Sequence, residues 1–164
     1  MKYDIIEIKE LRVIGIAKEL KMSEGPVECP KFWNEFVTRF ITPMKSGLPL
    51  TPQQEAIQKN MIGEFGLCIC NDANGTFQYV IGGRHLGGEV PEGFDLYDLP
   101  DGRWLKFHFE GGMEEFHRQY SEVYSKFLPE HPEFKVRFDW NAEWYSGMDM
   151  SSPDYRCGLM IPLI

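Results

Sequence analysis

One order of elements occurs twice in this chain, and it limits the folds available. Tyr3 to Leu20 is a β-branched, alternating run around Ile5, Ile6, Ile8, Val13, Ile14 and Ile16, broken by Lys9-Glu10, which predicts a hairpin or bent strand pair. Gly25-Pro26 predicts a loop, and Pro30 the first turn of a helix. Phe32, Trp33, Phe36, Val37, Phe40 and Ile41 form the apolar stripe of that helix, which Pro43 limits. Thr51-Pro52-Gln53-Gln54 predicts a capping box opening a short polar helix. Ile62 to Cys70 and Thr76 to His85 read as strands around the turn Asn71-Asp72-Ala73-Asn74-Gly75. In the first of these, Phe65, Leu67 and Ile69 share a face expected to pack on helices. The small Gly66, Cys68 and Cys70 leave room on the other.

The pattern then restarts. Phe94 to Leu99 turns at Pro100-Asp101-Gly102 into Arg103 to Phe109. A helix follows with the stripe Phe116, Tyr120, Val123, Tyr124, Phe127 and Leu128, stopped by Pro129. Phe134 to Tyr145 and Arg156 to Leu163 supply the last strand pair. The expected fold is α+β: a tandem duplication of a β-hairpin, helix, β-hairpin unit with pseudo-two-fold symmetry, one half about 1–85 and the other about 94–164. A cleft between such halves is a usual place for a small-molecule site.

The chain has 164 residues, enough for one well-buried domain, with 43% hydrophobic and 14% aromatic residues. Its formal net charge of -8 and lack of a basic stripe argue against direct nucleic-acid binding. No apolar run is long enough to span a membrane and no signal peptide is evident, so a cytoplasmic protein is expected. Cys29, Cys68, Cys70 and Cys157 make no zinc spacing, and His85, His108, His117 and His131 make no metal pairing. Neither a metal nor another cofactor is expected. The glycines at 82, 83, 87 and 88 match no phosphate loop, and no GxSxG elbow is present.

The residue that points to chemistry is Glu143, inside Asp139-Trp140-Asn141-Ala142-Glu143-Trp144-Tyr145. On a strand, Asn141, Glu143 and Tyr145 share one face, and Trp140, Ala142 and Trp144 the other. A carboxylate among aromatic side chains is costly to bury unless it is paired, protonated or met by a cation. Trp104, Lys106 and His108 also share a face, opposite Leu105, Phe107 and Phe109, and that face can line a cleft.

Ile8 to Ile16, Phe32-Trp33, Ile62-Gly63, Tyr79-Val80-Ile81-Gly82, Val90-Pro91-Glu92-Gly93-Phe94, Leu99-Pro100-Asp101-Gly102-Arg103-Trp104, the run from Trp140 to Tyr145, Asp154-Tyr155-Arg156 and Ile161-Pro162-Leu163 occur in an order that resembles the GyrI-like effector-binding domain of AraC-type and multidrug regulators. The resemblance covers nearly the whole chain. It implies tandem strand–helix–strand–strand modules around a central ligand cleft, lipophilic and often cationic aromatic ligands, and a buried Glu meeting the positive charge, a position that Glu143 matches. It adds Tyr79 and Trp33 to Glu143, Tyr145, Trp140 and Trp104 as candidate ligand-binding residues. Regulators of this kind attach a helix-turn-helix domain, whereas here the domain begins at residue 1. A stand-alone binding protein is therefore expected, with any transcriptional role needing a separate regulator or target protein. Two alternatives stay open. One is hydrolysis of a reactive small molecule in the same cleft, with Glu143 as general acid or base. The other is a gyrase-inhibitor-like protein interaction, in which the acidic surface imitates nucleic acid.

Overall fold

A computed structural model of the protein describes residues 1–71 and 73–164. The expected turn at Asn71 to Gly75 includes Asp72, which lies outside the described residues. Among the described residues, eight strands form one antiparallel sheet: β1 (Lys2–Ile8), β2 (Arg12–Lys21), β3 (Phe65–Asn71), β4 (Thr76–Arg84), β5 (Asp95–Asp98), β6 (Gly102–Phe109), β7 (Trp140–Tyr145) and β8 (Cys157–Pro162). Their order is β1-β6-β8-β7-β3-β4-β2-β5. The fold is α+β, as the sequence predicts.

Short connections force this sheet to curl. β1 and β2 stand six places apart in it, as do β5 and β6. Six strand spacings of ~4.8 Å make ~29 Å in a flat sheet, whereas the four Cα steps from Ile8 to Arg12 reach at most ~15 Å. The ends of the sheet therefore turn toward each other. The backbone N–H of Leu99 donates to the Leu11 carbonyl (3.0 Å), tying the two connections together.

Two helical stretches cover one face. The first is α1 (Gly25–Phe36), followed by a π turn at Val37–Ile41 and a last turn, α2 (Thr42–Met44). The second is α4 (Phe116–Glu122), followed by a π turn at Val123–Phe127 and α5 (Leu128–Glu130). Between them in sequence, α3 (Pro52–Asn60) opens with the expected capping box: the Thr51 side chain accepts from the Gln54 backbone N–H, and Gln54 accepts from Thr51 N–H. Gly25-Pro26 opens α1 instead of forming a loop, because a proline in the first turn lacks only an N–H that has no partner there anyway. Neither Pro43 nor Pro129 ends its helix at once. In each stretch a wider i→i+5 turn precedes the proline and re-routes the hydrogen bonds that its ring would interrupt. The last strand pair is also shorter than expected, since β7 starts at Trp140 and only a lone bridge, Val136 to Leu163, precedes it.

The helices do not sit where the β3 pattern suggests. Phe65 and Leu67 turn away from them, into a cluster with Ile8, Val13, Val80, Leu99, Trp104, Ala142 and Met160 drawn from the strands and their connections. Helical side chains pack instead on the face of Tyr79, Ile81, Leu105, Phe107 and Leu159. The curl closes the helix-free face on itself, so both faces of the sheet are apolar. Among the described residues, no helix is long and apolar enough to cross a membrane.

Candidate functional site

The face beneath the helices is not uniformly filled. Strands β3, β4 and β7 lie side by side at mid-sheet, and β3 presents Gly66, Cys68 and Cys70 to the helical side, residues too small to reach across. The result is a cleft of about 440 Å³ between α1 and α4. Cys29 comes from α1; Phe116 and Tyr120 come from α4. Cys68 and Cys70, Phe77 and Tyr79, and Asn141 and Glu143 come from the three strands. The volume is that of a small-molecule site.

Glu143 is 9% exposed and faces this cleft. Its register explains its position: Gly66 on β3 stands directly opposite it, and Leu159 on β8 flanks its other side. Both carboxylate oxygens are held. The Tyr79 hydroxyl donates to Oε1, and the Tyr145 hydroxyl donates to Oε2 at 3.0 Å. Trp33 stands behind this pair, its Nε1–H donating to the Tyr79 hydroxyl at 2.7 Å and its ring edge-on to Tyr145 at 5.5 Å. Each donor in this chain strengthens the next.

Burial dominates the titration of Glu143. Desolvation pushes its pKa up to about 7, and the hydrogen bonds from Tyr79 and Tyr145 hold it below where burial alone would place it. No cation offsets that desolvation, and among the described residues lining the cleft there is no lysine or arginine. Burial and the nearby carboxylate raise the thiols too, Cys29 to about 12 and Cys68 well above its ordinary value, so both stay protonated and unreactive at neutral pH. Burial followed by the charge of Glu143 likewise raises Tyr79 and Tyr145, which keeps their hydroxyls as donors.

Of the six candidate ligand-binding residues, the structure brings four together. Glu143 and Tyr79 line the cleft, Tyr145 grips the carboxylate, and Trp33 props Tyr79 without lining the cleft. Trp104 and Trp140 are elsewhere. Trp104 is fully buried on the helix-free face, its Nε1–H donating to the Pro100 carbonyl at 3.0 Å, and Trp140 packs against the same cluster. The period-2 alternation of β6 correctly separates Trp104 from Leu105, but the Trp104 side of that strand turns away from the helices and the cleft.

The sequence passed over Asn141, Phe77, Phe116, Tyr120 and Cys29 as cleft residues. Asn141 was the most findable, being on the Glu143 face two residues away. Phe116 and Tyr120 carry the ordinary signal of a helix stripe, and nothing in the pattern separates lining from core. Among the described residues no group of three His, Cys, Asp or Glu side chains can hold a metal ion.

Gly66 has a specific part in this arrangement. A Cβ built there meets the Tyr79 hydroxyl oxygen at 2.5 Å and Glu143 Oε1 at 2.7 Å. Its backbone is not in the left-handed region, so alanine is tolerated by the strand itself. Gly66→Ala is therefore expected to leave the fold intact, part Tyr79 from Glu143, and raise the pKa of Glu143 further, because a hydrogen bond that lowers it is lost. Circular dichroism and an NMR pH titration of the Glu143 carboxyl check the two halves of this expectation; an unchanged pKa would contradict it.

The GyrI-like small molecule binding domain matches residues 1–164, and the chain belongs to that family. Its fold is shared by solved structures of low sequence identity. One is the structure of SAV2435 bound to tetraphenylphosphonium (TM-score 0.78, 17% identity, covering 100% of this chain and 94% of that one). Another is a protein of Staphylococcus aureus MU50 (TM-score 0.73, 18% identity, 99% and 98% covered). A third is the integron cassette protein VCH_CASS2 from the mobile metagenome of Vibrio cholerae (0.64, 16%, 99% and 95%). At these identities the likeness is one of fold. No curated protein sequence matches.

Proposed function

We propose that the cleft binds lipophilic small molecules carrying a positive charge, with Glu143 as the charge partner. The observation that carries this reading is a buried carboxylate without a cation, oriented by two tyrosine hydroxyls, in a cavity whose lining is mostly apolar. A cation entering beside Glu143 relieves the desolvation that raises its pKa and meets an attraction only weakly screened by water. Tyr79, Phe77, Phe116 and Tyr120 supply aromatic surface for the apolar body and cation–π attraction of about 0.5–2 kcal/mol per well-placed face. The tetraphenylphosphonium bound by the fold neighbour SAV2435 is a guest of this chemistry.

The reading also treats the chain as two copies of one unit, 1–85 and 94–164. The sheet order supports this. Pairing β1 with β5, β2 with β6, β3 with β7 and β4 with β8 converts the order β1-β6-β8-β7-β3-β4-β2-β5 into its own reverse. The cleft lies where the central strands of the two copies, β3 and β7, meet.

Because this cleft holds Glu143 at a pKa of about 7, a cation must displace a proton below that pH. Titration with tetraphenylphosphonium, followed through quenching of the tryptophans, is expected to show affinity rising about tenfold per pH unit from pH 5 to about 6.5 and levelling above about 7.5. A pH-independent affinity over that range would exclude Glu143 as the charge partner.

A further inference from the structure

We infer that the guest of this cleft carries N–H donors: a protonated amine, amidine or guanidine on an apolar body, bridging Glu143 and Asn141. The inference rests on the proposed cation-binding role and narrows its ligand class. It follows from a count of which hydrogen-bonding capacity in the cleft is engaged and which is open.

The donors on the cleft's inner wall are engaged within the protein, save one hydroxyl proton of the Tyr120–Tyr124 pair. The Tyr79 and Tyr145 hydroxyl protons go to Glu143. Asn141 Nδ2 donates to the Tyr120 hydroxyl at 3.1 Å and to the Tyr124 hydroxyl at 3.2 Å, and those two hydroxyls also bond each other. The acceptors are not used up. An ionised carboxylate offers about four lone-pair directions, and Glu143 receives one tyrosine proton on each oxygen. Asn141 is 8% exposed, and its Oδ1 is buried with no hydrogen-bond partner. The amide's orientation follows from its neighbours. As placed, both N–H donors have partners; turned over, both would be buried without one, although the oxygen would then accept from the tyrosines. The other polar groups of the lining are Ser121 and His117, both exposed on α4, and thiols, which donate weakly.

An inner wall with more open acceptors than free donors selects a guest that donates. An unpartnered buried acceptor is a standing penalty, and the group that can remove it from the cleft side is a ligand N–H or O–H. The spacing suits a cation with several donors. Asn141 and Glu143 are two residues apart on one strand face, a repeat of about 7 Å, and two N–H···O bonds of about 2.9 Å span nearly that distance. A quaternary ammonium or a phosphonium brings the charge but leaves every one of these acceptors open.

The test is a matched pair of cations: 2-naphthylmethylammonium and its N,N,N-trimethyl analogue, which share ring and charge and differ in N–H donors. Calorimetric titration of the wild-type protein at pH 8 is expected to give the primary ammonium at least about a tenfold lower Kd, the scale of a hydrogen bond to a charged group. Asn141→Leu, close in volume and without an acceptor, is expected to weaken the primary ammonium relative to the trimethyl analogue, so that the preference collapses. Equal or tighter wild-type binding of the trimethyl compound overturns the inference with no variant needed, and so does a preference that survives intact in Asn141→Leu. Glu143→Gln separates this from the underlying reading. If it weakens neither probe, the cation-binding role itself fails; if it weakens both while the pair bind alike to wild type, only the donor requirement fails.

Discussion

Glu143→Gln is expected to weaken tetraphenylphosphonium binding about a hundredfold at pH 8, a loss of roughly 2.7 kcal/mol, while the protein stays folded. The substitution removes a charge and little else. Glutamine has nearly the same volume, can accept from one tyrosine and can donate to the other, so the Trp33–Tyr79 arm and the Tyr145 contact retain partners. What disappears is the attraction between a buried carboxylate and a guest that has left water, where screening is weak. Aromatic contacts remain and set the residual affinity. Isothermal titration calorimetry measures the difference, and an affinity within about threefold of wild type would show that the aromatic lining alone holds the cation.

The same substitution is expected to make the protein more stable, and only above a certain pH. Burial raises the Glu143 pKa from 4.5 to about 7. Below about pH 4.5 the group is neutral in both the folded and unfolded chain and contributes no penalty. As pH rises from 4.5 toward 7 the unfolded chain gives up this proton first, so stability falls; above about 7 both states are ionised and the penalty is complete. Its size is roughly 3 kcal/mol, and Glu143→Gln escapes it. Urea unfolding is expected to show the two proteins closest near pH 4.5, with the variant's advantage growing to about that amount by pH 8. A difference that does not change with pH would mean that Glu143 titrates alike in both states. Together the two outcomes describe a group held against stability in favour of binding, a common feature of functional sites.

How far the sequence revealed this site depends on the strand concerned. In β7 the alternation Trp140, Asn141, Ala142, Glu143, Trp144, Tyr145 assigns the faces correctly, because a period of two admits only two arrangements. The pattern does not say which face meets the helices. Phe65 and Leu67 form the larger apolar side of β3 and look like a helix-packing surface, yet they belong to the side that curls inward. Trp104 reads as a cleft residue for a related reason. In an ordinary antiparallel sheet with one wet face, polarity identifies the inside. Here the three-residue connection between β1 and β2 bends the sheet until both faces are buried, so hydrophobicity no longer distinguishes them.

The small residues were the better guide. Gly66, Cys68 and Cys70 leave a gap in the β3 pattern, and the two cysteines line the floor of the cleft. The contact between Asn141 and Tyr120 is out of reach of the pattern because it crosses the sheet–helix boundary between residues 21 apart in sequence. The two prolines, Pro43 and Pro129, read as helix stops because the sequence does not announce the π turns that precede them.

A crystal structure of the protein soaked or grown with tetraphenylphosphonium at pH 8 goes to the centre of the matter. The expected density places the cation between α1 and α4, its charged centre nearest the Glu143 carboxylate and its rings against Tyr79, Phe77 and Phe116. A cation bound on the helix-free face, or a cleft left empty at saturating ligand, would contradict the assignment of Glu143 as the residue that receives the guest.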